Sequence, residues 1–116
     1  MNYFFTFVLT VFVAFNVVAA GSGTGDQVIN AIEIDSHNNL RIYLANANHN
    51  STCATSGKEK TLTLPKSDAN FDHFLSIALT AQTTGKKVYM WLDNSQCVTE
   101  GSTYFPKPMT IILRNY

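Results

Sequence analysis

At 116 residues the chain has room for one domain. Its eight Lys or Arg residues are balanced by eight Asp or Glu, a formal net charge of +0. That balance argues against a nucleic-acid partner, which calls for a basic stripe, and equally against the electrostatic docking of a protein on an anionic membrane.

The first element is apolar. From Tyr3 to Ala20 only Thr6, Thr10 and Asn16 interrupt a run of hydrophobic residues, and no charged side chain lies before residue 21. The stretch ends in Val18-Ala19-Ala20, compact residues of the kind a signal peptidase admits beside the scissile bond, followed by Gly21-Ser22-Gly23-Thr24-Gly25. Residues 1–20 therefore read as a cleaved export signal that lacks the usual Lys or Arg at its start. The competing reading is an uncleaved membrane anchor, since the run is nearly long enough to span a bilayer. Export places the remainder in the periplasm or outside the cell, with no stable membrane insertion after cleavage. Residues 21–27 then form a flexible N-terminal segment, and residues 28–116 the folded domain.

Within that domain Val28 to Ile34 reads as a strand, with Val28, Ile32 and Ile34 on one face. Asp35-Ser36-His37-Asn38-Asn39 is a cluster of turn formers, and Leu40 to Ala45 is a second strand with Leu40, Ile42 and Leu44 opposite Arg41, Tyr43 and Ala45. Asn46 to Lys60 is a polar loop. Thr61 to Leu64 makes a short third strand that Pro65 stops. Ser67 or Asp68 can cap a helix on which Phe71, Phe74, Leu75, Ala78 and Leu79 share a face, and Gly85 ends it. Val88 to Leu92 is a fourth strand, a polar connection carries Cys97, and Pro106 and Pro108 introduce a fifth, Met109 to Arg114. The expected fold class is mainly β with one helix (α+β). One helix between the third and fourth of five strands is the order of a small OB-fold-like barrel. An α+β sandwich with a covering helix gives the same string.

Cys53 and Cys97 are the two cysteines. In an exported chain they form one disulfide, which closes a loop of about 45 residues and contributes about 4 kcal/mol in the chain-entropy model. The alternative is a metal site that adds His49, for which no CxxC or HxxxH spacing speaks. His37, His49 and His73 fall in a turn, a loop and the polar side of the helix. Asp68 and Asp72 suit the helix N-terminus rather than acid–base chemistry. No phosphate-cradling glycine loop is present. Nothing here calls for a metal or cofactor, and the chain does not read as an enzyme. Asn50-Ser51-Thr52 fits the glycosylation sequon, which matters only in a eukaryotic secretory path.

The residues suited to binding are Tyr43, Tyr89 and Trp91, which alternate onto the outer side of their strands. Aromatic faces stack on the C–H patches of sugar rings; the same residues can instead cover a small barrel or pack at a subunit interface.

The passage Phe74 to Trp91, in which a helix ends in Thr83-Thr84-Gly85 and runs into the aromatic strand Val88-Tyr89-Met90-Trp91, resembles the binding subunits of subtilase cytotoxin and its pertussis-like relatives. It also looks like a pattern of many small exported bacterial proteins. The resemblance implies an OB-like fold, a homo-oligomer (a pentamer in the closer relatives) and a glycan ligand on host cells. Where the relatives place a sugar-binding serine before the first strand, this chain has Gly25-Asp26-Gln27. The functional expectation is an exported binding domain for a glycan or protein. The alternative is a structural or protein-interaction domain of the bacterial envelope with no sugar ligand.

Overall fold

The computed structural model describes residues 21–116. The export signal expected over residues 1–20 lies outside the described residues. Six strands and one helix follow one another: β1 (Gly21–Gln27), β2 (Ile29–Ile34), β3 (Leu40–Leu44), β4 (Thr61–Leu64), α1 (Phe71–Thr84), β5 (Val88–Glu100) and β6 (Thr103–Leu113). They make two antiparallel sheets, ordered β1-β5-β6 and β2-β3-β4. The inner faces of both sheets meet α1 in one core. β3 contributes Leu40, Ile42 and Leu44, β4 Leu62 and Leu64, and β5 Val88, Met90 and Leu92; Phe74, Ala78 and Ala81 come from the helix.

The expected five-stranded barrel is not formed. Both sheets are open, and among the described residues no ladder joins them. The extra strand is β1, the segment expected to be flexible. Three glycines lower its intrinsic strand preference, but tertiary partners override that. Thr24 is fully buried, and its hydroxyl accepts the Met90 N–H of β5 at 3.0 Å. Gln27, also buried, donates from Nε2 to the Thr24 carbonyl at 2.9 Å. The chain changes sheets at Val28, the single residue between β1 and β2, which is 41% exposed. Each sheet therefore keeps its own free edge.

Other elements depart from the expected pattern for local reasons. A register shift between Ile29 and Ala31 buries Ile29 and leaves Val28 and Ile34 exposed, the reverse of a simple alternation. On α1, Ala81 is buried while Leu79 faces solvent. The helix begins from Asn70, with no side-chain cap. Asp68 acts one turn earlier, its Oδ1 accepting the Asn70 N–H at 2.9 Å. Gly85 closes the helix as expected, in the left-handed conformation at φ 72, and the Lys86 N–H returns to the Ala81 carbonyl at 3.1 Å. Pro106 and Pro108 lie inside β6 rather than before it. As the outer strand of its sheet, β6 has one side on which no ladder donor is required.

Cys53 and Cys97 are joined as a disulfide, which disposes of the metal reading that added His49. The bond ties the irregular segment between β3 and β4 to β5, where the β5–β6 register shifts between Asp93 and Cys97. A second fastening lies nearby: Thr55 N–H donates to the Tyr104 carbonyl at 3.0 Å, and Tyr104 N–H to Thr55 Oγ1 at 2.7 Å.

Candidate functional site

The three aromatic residues singled out from the sequence do not form one group. Tyr43 sits on β3, and its hydroxyl donates to Glu33 Oε2 of β2 at 3.3 Å. Tyr89 and Trp91 sit on β5, in the other sheet. Their inward neighbours Val88, Met90 and Leu92 are fully buried, so Tyr89 and Trp91 share the outer face. Trp91, the chain's single tryptophan, is 38% exposed.

The ladder partners on either side define the surroundings. Trp91 lies between Gly23 of β1 and Thr110 of β6, and Tyr89 between Asp26 and Ile112. Gly23 matters because it has no side chain: a Cβ there would stand 1.8 Å from the Tyr89 hydroxyl oxygen. Tyr89 thus lies flat across β1 and brings its hydroxyl to the position opposite Trp91. The Arg114 guanidinium carbon is 5.3 Å from the centre of the Tyr89 ring, a cation–π contact. Arg114 Nε donates to Asp26 Oδ1 at 2.8 Å, and the Tyr116 hydroxyl donates to Asp26 Oδ2. The bonds from Tyr116 and Arg114 hold the Asp26 carboxyl below its ordinary value, and the same bonds raise Arg114 and Tyr116 above theirs. Replacing Gly23 by Ala is expected to lift Tyr89 off β1, break its contact with Arg114 and cost about 1 kcal/mol in urea denaturation. Loss of the ring-current shift that Tyr89 gives Arg114 protons is the accompanying NMR readout.

A second cluster was not legible in the sequence. Arg41 of β3 is surrounded by three carboxylates. Its Nη2 bonds Glu100 Oε2, its Nε is 3.1 Å from Asp35 Oδ2, and its Nη1 donates to Glu33 Oε1 at 3.3 Å. The guanidinium also stacks 4.8 Å from the centre of the Phe105 ring. The turn between β2 and β3 shapes this end. Asp35 Oδ1 accepts the N–H groups of His37 and Asn39 at 2.8 and 3.0 Å, and Asn38 takes a positive φ of 61. Glu100, at the end of β5, accepts Asn39 Nδ2 at 2.7 Å and has His37 Nδ1 at 3.7 Å. Burial pushes the Asp35 carboxyl up. Its contact with Glu100 and the hydrogen bonds it accepts from the Asn39 and His37 backbone, helped by the Arg41 charge, outweigh that and hold it below the ordinary value. Burial likewise opposes the Arg41 charge but is outweighed by Glu100, so Arg41 is raised.

A cavity of about 370 Å³ opens beside this cluster, with His37, Lys58, Thr103 and Phe105 among its walls. Asp35, His37 and Glu100 place one ligand atom each within 4.8 Å of one another and are the residues here that could hold a metal ion. Arg41 already stands between the two carboxylates as their cation. The cluster therefore joins the β2–β3 hairpin to the β5–β6 hairpin. His49 is taken up in its own loop, with Nδ1 accepting the Ser51 N–H at 3.2 Å and Nε2 against the Glu59 carbonyl. His73 is exposed on the helix.

No family model, curated protein or solved structure matches the chain.

Proposed function

We propose that the chain is an exported, non-enzymatic binding domain that holds a glycan on the outer face of the β1-β5-β6 sheet. The observation that carries this reading is Trp91: a half-open indole on β5, with Gly23 on one side and the Tyr89 hydroxyl lying over that glycine. An aromatic ring beside flat backbone and polar groups is the arrangement that stacks on a sugar's C–H face while bonding its hydroxyls. Export is supported by the Cys53–Cys97 disulfide, which belongs to oxidising compartments. No helix among the described residues is long and apolar enough to cross a membrane. The resemblance of the Phe74–Trp91 passage to toxin binding subunits supports a glycan ligand and a homo-oligomer.

Glycan-array binding tests the reading. The native protein is expected to retain a defined set of glycans, and Trp91→Ala to lose them by roughly 10-fold or more at unchanged thermal stability, as for removal of a central aromatic anchor. Retention that survives Trp91→Ala removes the site. A protein-interaction domain of the bacterial envelope is the second reading, favoured by Ile112, which is 42% exposed beside Tyr89. An array silent throughout leaves that reading ahead.

A further inference from the structure

Tyr89, Trp91 and Asp93 occupy alternate positions on the outer face of β5. Their ladder partners on β1 are Asp26, Gly23 and Gly21 in turn; the Tyr89 ring lies over Gly23, so beside the indole a ligand meets the Tyr89 hydroxyl rather than a β1 side chain. Both bonds that Ser95 makes to Asp93, from its N–H at 2.8 Å and its hydroxyl at 2.6 Å, fall on Oδ1 and leave Oδ2 out of either. The cations bordering the strip are engaged elsewhere. Arg114 is bonded to Asp26 and stacked on Tyr89. Lys107, the ladder partner of Asp93 on β6, lends its charge to Asp93, but its Nζ is 3.3 Å from Asp68 Oδ2 and 3.3 Å from Gln96 Oε1. Lys87 lies 5.8 Å over the Tyr116 ring.

A ligand here meets an apolar ring, a phenol hydroxyl and a carboxylate oxygen, and each bordering cation named above already has a partner among the described residues. We infer that the strip selects uncharged sugars and rejects those bearing a carboxylate or sulfate. The apolar face of the sugar lies on Trp91, and its hydroxyls donate to Asp93 Oδ2 and exchange hydrogen bonds with the Tyr89 hydroxyl. The reason is electrostatic. A hydroxyl donating to a carboxylate makes a charge-assisted bond, whereas a second anion beside Asp93 loses its hydration and must compete with Asp68 and Asp93 for the nearby cation, Lys107. This inference rests on the glycan reading above and names the class of sugar.

The test is an array carrying galactose-, glucose- and mannose-terminated glycans beside sialylated and glucuronate-terminated ones, probed with the native protein, Trp91→Ala and Asp93→Asn. Expected are neutral glycans only for the native protein, and neutral binding weakened roughly 10-fold by Asp93→Asn, the loss of one charge-assisted hydrogen bond. Thermal melting of each variant separates this from unfolding. Acidic glycans bound in preference, through a Trp91-dependent site, overturn the inference and leave the glycan reading standing. Neutral binding indifferent to Asp93→Asn also overturns it, and silence across the whole array overturns both.

Discussion

Replacing Arg41 by Met is expected to destabilise the protein by about 3–5 kcal/mol at pH 7, because it leaves buried carboxylates without their counter-charge. The side chains of Asp35 and Glu100 are only 4% and 6% exposed, and Arg41, at 22%, is bonded to Glu100 and paired with Asp35. Chemical denaturation measures the loss, and its pH dependence identifies the cause. In the native protein the Asp35 carboxyl is held below its unfolded value. Its contribution is therefore fully present above the unfolded pKa, about 3.9, and fades as pH falls through the lower folded value. In Arg41→Met the sign reverses: two buried acids face each other with no cation, and the pair takes up a proton more readily on folding. The gap between variant and native protein should narrow between pH 7 and about pH 4.5. A second substitution, Asp35→Asn, should recover part of the loss at pH 7. A variant as stable as the native protein would mean that the cluster is a surface arrangement with no part in joining the two hairpins.

Removing the disulfide is the other large effect. Cys53→Ser/Cys97→Ser is expected to cost about 4 kcal/mol, from the 44-residue separation of the bridged positions. The loss should be felt first in the segment between β3 and β4, which has no strand or helix of its own. Apart from the disulfide, that segment is held by few bonds, those of Thr55 to Tyr104 among them. Hydrogen exchange of the reduced or Ser-substituted protein should show these amides losing protection before those of β3 and β5. A loss below about 1 kcal/mol with unchanged protection would show that the segment is held without the bond.

Much of this fold could be read where local pattern and tertiary packing agree. Leu40, Ile42 and Leu44 alternate inward as expected, Phe74 and Ala78 face the core, and Gly85 ends the helix. Reading failed where a distant partner decides the local structure. Gly21–Gln27 becomes a strand because β5 lies beside it, some 66 residues on at the Thr24–Met90 bond. β5 continues past Leu92 through a polar stretch because β6 resumes pairing with it at Cys97. In β2 a single register shift exchanges which isoleucines are buried. The same distinction holds for the candidate site. Tyr89 and Trp91, two residues apart on one strand, were recognisable as a pair. The separation of Tyr43 onto the second sheet was not, since it depends on how the strands are ordered. The role of Gly23 was hidden for a similar reason: glycine in a strand suggests a close approach without saying what approaches. Arg41 and Glu100, 59 residues apart, carry no sequence signal that they meet.

Because Trp91 is the only tryptophan, its fluorescence reports on the proposed site and on nothing else in the chain. A saturating titration with an array-positive neutral glycan should shift or quench that emission with the same midpoint as binding measured by calorimetry. Heat of binding with an unchanged Trp91 spectrum would place the ligand elsewhere and contradict a sugar stacked on this face.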